Sequence, residues 1–203
     1  MTSPALRPDV ERLRNRLNMP VLFVPGQFLP LVLSYWLRFV PALRPFAFGV
    51  PTRPEVLLAC AAALLVPFVL PRGWFQPPGF ERGRLYPALG LRLFRTIATD
   101  GDWINGRLRR LDPNYRVVRD RRGRDEHIAG TIIGERWHTS WLLLGLMTAG
   151  SAVATRQYGW AIAVTIFNAA FNLYPVMHQR YKRARLRPDT TWRAATASAP
   201  AAP

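Results

Sequence analysis

The chain has 203 residues, 49% of them hydrophobic, and carries 28 Lys and Arg against 12 Asp and Glu, a formal charge of +16. A single domain is expected at this length. The one cysteine, Cys60, excludes an internal disulfide framework. Long apolar stretches alternate with arginine-rich segments, the pattern of a membrane protein. No zinc-finger, RNA-binding or helix-turn-helix pattern occurs, so the predicted partners are the lipid bilayer and anionic lipid, and not nucleic acid.

Four apolar stretches predict transmembrane helices, at residues 21–40, 55–70, 137–154 and 158–177. Prolines interrupt the first, which predicts a kinked or partly re-entrant span. A signal peptide is the alternative there, but no clear small-x-small cleavage site follows, which favours an uncleaved anchor. The second is short for a hydrocarbon core that needs about 20 residues. Short links join the first to the second and the third to the fourth, so the sequence predicts two antiparallel hairpins.

Positive charge concentrates outside these hairpins. The N-terminal tail, residues 72–136 and the tail from Arg180 are arginine-rich, and residues 1–20 show no apolar core of their own. Four spans place all three basic segments on one side, which the positive-inside rule makes the cytoplasm. We therefore predict a multi-pass cell-membrane protein with both termini cytoplasmic. It would form a single membrane domain, residues 1–187, followed by a disordered small-residue tail, residues 188–203.

The basic middle segment contains an amphipathic pattern, RLYPALGLRLFRTIA, at residues 84–98. Its apolar residues recur one helical turn apart (Leu85, Leu89, Leu93 and Ile97), and its cations gather on the opposite arc (Arg84, Arg92 and Arg95). This predicts a helix lying in the membrane interface, with a helix packed on protein as the alternative. The predicted fold class is an all-α integral membrane protein with about four transmembrane helices in two hairpins and this cytoplasmic interfacial helix.

Glu135 and His138 stand at the cytoplasmic end of the third predicted span. Their i, i+3 spacing puts both on one helix face, where the carboxylate could orient the imidazole. A histidine oriented in this way can act as the general base of an acyl transfer from a thioester to an alcohol. The alternative is an interfacial Glu and His wetted by lipid headgroups. The ligand set of a di-iron bundle needs a second such pair, which is absent, so no metal site is predicted.

Two further groups of polar residues are candidates. Asn168 and Asn172 lie one turn apart in the fourth predicted span, where either interhelix hydrogen bonding or substrate contact would explain them. Five cations follow the span between Arg180 and Arg187, interleaved with Gln179 and Tyr181. Such a cluster usually sets topology and binds anionic lipid.

The sequence resembles the glycosyl-4,4′-diaponeurosporenoate acyltransferase family over roughly residues 72–187. The resemblance rests on three segments in the family's order. They are Phe80-Glu81-x-Gly83-x-x-Tyr86 with Leu89-Gly90, Phe94 and Asp100-Gly101; Glu135-x-x-His138; and Asn172-x-Tyr174-Pro175 with Gln179-Arg180-Tyr181-x-Arg183-x-Arg185. Lys182 stands where an Asn is frequent in the family, and an asparagine of the Asp100 region is displaced to Asn105.

This resemblance implies a membrane acyltransferase of carotenoid biosynthesis. Its members esterify the glucose 6-hydroxyl of a glycosylated carotenoid acid with a fatty acyl chain. We therefore predict His138 and Glu135 as catalytic residues, and as substrate-binding residues Glu81, Asn172, Gln179, Arg180, Tyr181 and Arg183. A fatty acyl donor would be the co-substrate, with no other cofactor, and the phosphates of acyl-CoA would suit Arg180 and Arg183.

Two other function classes remain open. A non-enzymatic membrane protein could use the basic face to bind anionic lipid or to scaffold other enzymes of the pathway. A metal-dependent intramembrane hydrolase could bind its metal through His127, His138 and His178.

Overall fold

The computed structural model describes residues 7–37, 54–78, 85–118 and 120–186, and no strand occurs in these ranges. The helices are α1 (Pro8–Gly26), α2 (Phe28–Leu37), α3 (Pro54–Val69), α4 (Leu85–Ala88), α5 (Leu91–Ile97), α6 (Asp102–Leu111), α7 (Arg121–Ala154), α8 (Tyr158–Asn168) and α9 (Tyr174–Leu186). A π-helical turn, Ala169–Leu173, joins α8 to α9. The all-α prediction is confirmed for the described part of the chain. The predictions for Glu81 and for the tail 188–203 lie outside it.

The 34-residue helix α7 is the centre of the fold. Its first turn is capped by Asp120, whose carboxylate accepts from the Gly123 amide at 2.6 Å. Helices α3, α8 and α9 all pack against α7. Two polar contacts fix its neighbours: the Ser140 hydroxyl donates to the Leu64 carbonyl at 2.8 Å, and the Trp36 indole donates to the Thr148 hydroxyl at 3.0 Å. The predicted third span is therefore the second half of a longer, centrally placed helix.

A second layer forms where α1 crosses α6. Val10, Ile104 and Leu108 are buried together there, with Leu13 and Leu17 packed around them. The expectation that residues 1–20 lack an apolar core is wrong for residues 8–20, because their apolar residues share one helix face at i, i+3 and i+7. Helix α6 was not predicted, since its short sequence DWINGRLRRL is rich in charge and its apolar face needs α1 as a partner.

The predicted interfacial helix is two short helices, α4 and α5. Gly90 separates them with φ of 75°, a left-handed conformation that favours glycine and ends a helix. Tyr86 and Leu91 are buried against the protein, whereas Leu93 is 75% and Ile97 63% exposed. The side chain of Leu85 is outside the described part. Leu89, Leu93 and Ile97 thus form an exposed apolar stripe, as an interfacial segment requires, although as parts of a broken helix.

Two stretches of the described chain are long and apolar enough to cross a membrane, Pro8–Trp36 and Tyr158–Leu186. The predicted spans 21–40 and 158–177 overlap them. The predicted span 55–70 coincides with α3, which has 16 residues and is shorter than a bilayer core requires. The all-helical architecture therefore stands, while the four-span count, the two hairpins and the cytoplasmic termini stay predictions.

Candidate functional site

Glu135 is the centre of a buried ion cluster between α7 and α9. It is 2% exposed and accepts from Arg180 Nη1 at 2.9 Å and from Arg183 Nη2. Arg183 is fully buried, and its Nε donates to the Phe75 carbonyl at 3.1 Å. A single buried carboxylate thus compensates two guanidinium groups and joins α7, α9 and the turn after α3. The sequence predicted these arginines as anion-binding groups for substrate, but the structure gives them Glu135 as their partner.

His138 lies in a different environment from Glu135. Its Nδ1 is 3.5 Å from Asn172 Oδ1, while Asn172 Nδ2 donates to Asn168 Oδ1 at 2.9 Å. Asn168 Nδ2 in turn donates to the Leu142 carbonyl at 2.9 Å. The prediction that Glu135 orients the imidazole therefore needs correction, because both Glu135 oxygens accept from arginines and the group facing His138 is Asn172. The two asparagines are used in interhelix bonding, one of the two explanations that the sequence left open.

The remaining predicted substrate residues on α9 lie on separate sides of it. Gln179 packs over α7 beside Gly134, where a Cβ would lie 3.0 Å from Gln179 Nε2. Tyr181 lines a polar cavity, and its hydroxyl accepts from Arg95 Nη1 at 3.4 Å and Arg185 Nη1 at 3.2 Å. Tyr181 therefore lies at the wall of the polar cavity, and its role in substrate binding stays a prediction.

The polar cavity has a volume of about 240 Å³ and lies between α5, α6, α7 and α9. It brings together seven charged or histidine side chains that are far apart in the sequence: Arg95, Asp100, Asp102, His127, His178, Lys182 and Arg185. Arg95 pairs with Asp102 at 2.7 Å. Burial, and then the positive charge of Lys182, lower the pKa of His127, so this imidazole is neutral at neutral pH.

The imidazole of His178, which lines this cavity, has no partner among the described residues. His178 is 4% exposed, yet neither of its ring nitrogens has a hydrogen-bond partner. Lys182 lines the same cavity, where its positive charge interacts with the Asp100 carboxylate. The two residues are one turn apart on α9, so they share a face. Buried polar groups are nearly always hydrogen-bonded, and an exception at a cavity wall indicates that a ligand completes it.

Asp100 lines the polar cavity and is hydrogen-bonded to two residues of α1. Its carboxylate accepts from Arg14 Nε at 2.8 Å and Asn18 Nδ2 at 2.9 Å, while its amide donates to Asn18 Oδ1 at 2.9 Å. Its φ of 52° is left-handed, a conformation that Asp and Asn tolerate better than most residues. Burial alone would raise the pKa of Asp100, but the hydrogen bonds from Arg14 and Asn18 outweigh it and hold this pKa below its ordinary value.

A depressed carboxyl pKa makes stability depend on pH in the acid range. Asp100 contributes stability above the ordinary Asp pKa of about 3.9, and that contribution is lost as pH falls through the folded-state value. We expect Asp100→Asn, which keeps the left-handed backbone but removes the charge, to be less stable than wild type at pH 7 and to lose less on acidification. Because this loss occurs below about pH 4, unfolding midpoints measured in detergent from pH 7 down to about pH 2 would test this, and parallel curves for the two proteins would contradict it.

An apolar cavity of about 560 Å³ lies on the other side of α5. It is lined by α1, α5 and the segment from Ala170 to Pro175. Leu93 and Ile97 line it and are also largely exposed, so the cavity reaches the protein surface beside an apolar stripe. Val21 of α1 lines this cavity, and the next two residues, Leu22 and Phe23, are 59% and 71% exposed.

Phe94 separates the apolar cavity from the polar one. Its ring lies 5.7 Å from the ring of Tyr174, which lines the apolar cavity, and 5.7 Å from the imidazole of His178, which lines the polar cavity. The two cavities are therefore adjacent, with the Phe94 ring between Tyr174 of one wall and His178 of the other. An amphiphile with its chain in the apolar cavity would present its polar end to His178.

The sequence indicated His178 as a metal-ligand option, and Lys182 as one of the cations that set topology or bind anionic lipid and as a departure from the family's frequent Asn. Their i, i+4 spacing was the signal that could have paired them. No group of three or more His, Cys, Asp or Glu that could hold a metal ion occurs in the part of the chain that the structure describes. His127 and His178 share the polar cavity, whereas His138 is absent from its lining.

Residues 71–188, more than half of the chain, match the sequence model of the family described as glycosyl-4,4′-diaponeurosporenoate acyltransferase. This confirms the resemblance seen in the sequence over residues 72–187. No curated protein and no solved structure matches the chain. The matched region contains the ion cluster around Glu135, the cavity residues His178 and Lys182, and most of the residues that line the two cavities.

Proposed function

Because the chain belongs to the glycosyl-4,4′-diaponeurosporenoate acyltransferase family, we propose that it is a membrane acyltransferase that esterifies the glucose 6-hydroxyl of a glycosylated carotenoid, or of a similar glycolipid. The observation that carries this proposal is the meeting of the two cavities at the Phe94–His178 contact. The reaction joins two amphiphiles, so its site needs an apolar compartment for chains next to a polar one for the sugar and the acyl carbonyl.

The dimensions and chemistry of the two cavities support this division. The apolar cavity is the larger, and its wall residues Leu93 and Ile97 reach the surface, as entry of a chain from the bilayer requires. The polar cavity contains acids, amides and imidazoles that can hydrogen-bond sugar hydroxyls. Large exposed apolar side chains on α1, α3, α7 and α8 also favour a bilayer around the protein. We place it in the cell membrane, with both termini in the cytoplasm.

A non-enzymatic role in binding anionic lipid is the second candidate, and one observation favours it. The polar cavity has more cations than anions in its lining, since Lys182 and Arg185 add to Arg95 against two aspartates. A lipid phosphate could be its ligand. This candidate predicts binding without turnover, and it gives no reason for the buried, unpartnered imidazole of His178.

Blocking the apolar cavity tests the proposed function. Ala170 lines this cavity, and a phenylalanine there would occupy space needed by a chain. We expect Ala170→Phe to lower kcat/KM for esterification at least about 10-fold, within the range by which a misfitting apolar pocket discriminates substrates. Conversion of a glycosylated carotenoid to its ester in isolated membranes, followed by mass spectrometry, would measure this.

Ala62→Phe is the matched control, because Ala62 is an exposed alanine of α3 outside both cavity linings. We expect it to leave conversion close to that of wild type. Equal loss in both variants would show that added bulk, and not the cavity, matters. Failure of wild type to esterify any sugar-bearing amphiphile would refute the proposed function.

A further inference from the structure

We propose that His178 and Lys182 are the catalytic pair of this enzyme, with His178 as the general base and Lys182 as the group that stabilises the oxyanion. This inference rests on the proposed function and assigns the chemistry to the polar cavity. It replaces His138, the base predicted from the sequence, with a histidine on another helix.

The geometry of α9 supports the pair. His178 and Lys182 share one helix face and one cavity, and neither ring nitrogen of His178 has a hydrogen-bond partner among the described residues. A base must be within hydrogen-bond reach of the proton that it removes, and the unpartnered imidazole of a cavity-lining histidine is a candidate for this role. The Lys182 ammonium, one turn away, can bind negative charge that develops during the reaction.

The position of His178 also agrees with the substrate. The Phe94 ring contacts it at 5.7 Å, and this ring is part of the apolar cavity wall. An acceptor whose polyene occupies that cavity would pass Phe94 and place its sugar beside the imidazole. By contrast, His138 Nδ1 faces Asn172, whose amide is already bonded to Asn168.

The proposed reaction uses a fatty acyl thioester as donor. His178 takes the proton of the sugar hydroxyl while that oxygen bonds to the acyl carbonyl carbon. The carbonyl electron pair moves to its oxygen, which pairs with the Lys182 ammonium. Collapse of the tetrahedral intermediate restores the C=O bond and breaks the C–S bond, and the departing thiolate takes the proton from His178. The products are the sugar ester and a free thiol.

Chemical rescue of His178→Ala is the test for the base. The variant should lower kcat about 10²–10⁴-fold, the usual contribution of a general base, with little change in KM for either lipid. Because the substitution leaves space open to the polar cavity, added imidazole should restore turnover several-fold. His178→Gln, which fills the same space, should be inactive and not rescued. The measurement is ester formation from palmitoyl-CoA and a glycosylated carotenoid by the full-length protein in detergent.

Lys182→Met and Lys182→Arg test the second member of the pair. The methionine variant should lower kcat by about 10²–10³-fold, as loss of an oxyanion donor does, and the arginine variant should retain more turnover because it keeps the charge. If both variants raise KM and leave kcat unchanged, Lys182 binds substrate and does not stabilise the oxyanion, which would overturn this role.

His138→Ala separates the two assignments. We expect it to retain most of the turnover, whereas the sequence-based prediction expects it to be inactive. Unfolding midpoints of all variants must match wild type for the comparison to count, and His178→Gln serves if His178→Ala unfolds. If wild type esterifies the acceptor but His178→Ala and His178→Gln do so equally well, the catalytic pair is wrong and the proposed function stands.

Discussion

Glu135→Ala is expected to lower the free energy of unfolding by about 3–5 kcal/mol, the usual cost of removing one partner from a buried ion pair. The substitution would leave Arg180 and the fully buried Arg183 without the carboxylate that compensates both. Contacts that join α7, α9 and the turn after α3 would weaken together. Denaturant titration in detergent micelles, followed by tryptophan fluorescence, would measure the loss.

Glu126→Ala is the control for this prediction, because Glu126 forms an exposed ion pair with Arg122 on the same helix. Exposed pairs contribute little, so no measurable change is expected. Glu135→Gln should also be destabilised, and its turnover should remain close to wild type under conditions where it is folded. A folded Glu135→Gln variant with normal stability and no turnover would instead support the catalytic role predicted from the sequence.

Gly101→Ala is expected to destabilise the protein by about 1–3 kcal/mol or more, because a methyl group would be forced against backbone. Its Cβ would lie 2.6 Å from the Ala98 carbonyl oxygen, and the Arg95 carbonyl oxygen is closer still. Neither atom can rotate away as a side chain could. The turn that holds Asp100 in the polar cavity would have to shift, so esterification should fall as well as the unfolding midpoint.

Gly106→Ala is the matched control, inside the helix α6 that Gly101 precedes. Nothing lies within 4 Å of a Cβ built at Gly106, and alanine is favoured over glycine in a helix interior by about 1 kcal/mol. This variant should therefore be as stable as wild type or more so, with normal turnover. If both variants lose similar stability, the effect at Gly101 is not specific to the turn that holds Asp100, and the prediction is contradicted.

Apolar periodicity was sufficient to predict several elements of the fold. The apolar runs in α2, α3, α8 and the second half of α7 predict helices because a helix with no polar face must be buried or surrounded by lipid. Three motifs spread over residues 72–187 were sufficient to indicate the family. Helix α6 and the first half of α1 were missed although their apolar residues recur at helical spacing, because both segments are short in apolar residues and rich in charge.

The arrangement of the site could not be predicted from the sequence, because it depends on contacts between residues that are far apart along the chain. Glu135 and His138 share a helix face, but the direction of each side chain is set by its neighbour on another helix: Arg183 for the acid and Asn172 for the imidazole. The left-handed Gly90 divides a continuous amphipathic pattern into two helices.

The sequence by itself determined the helical class, the apolar and basic segregation and the family. Only the tertiary structure decided which polar groups meet. Asp100, His127 and Lys182 come from three separate elements, and packing of α5, α6, α7 and α9 closes them around one cavity. Burial in that packing removes water from His178 without supplying a protein partner. The physical reason is that hydrogen bonding and desolvation depend on distances between distant segments, which no period along the chain encodes.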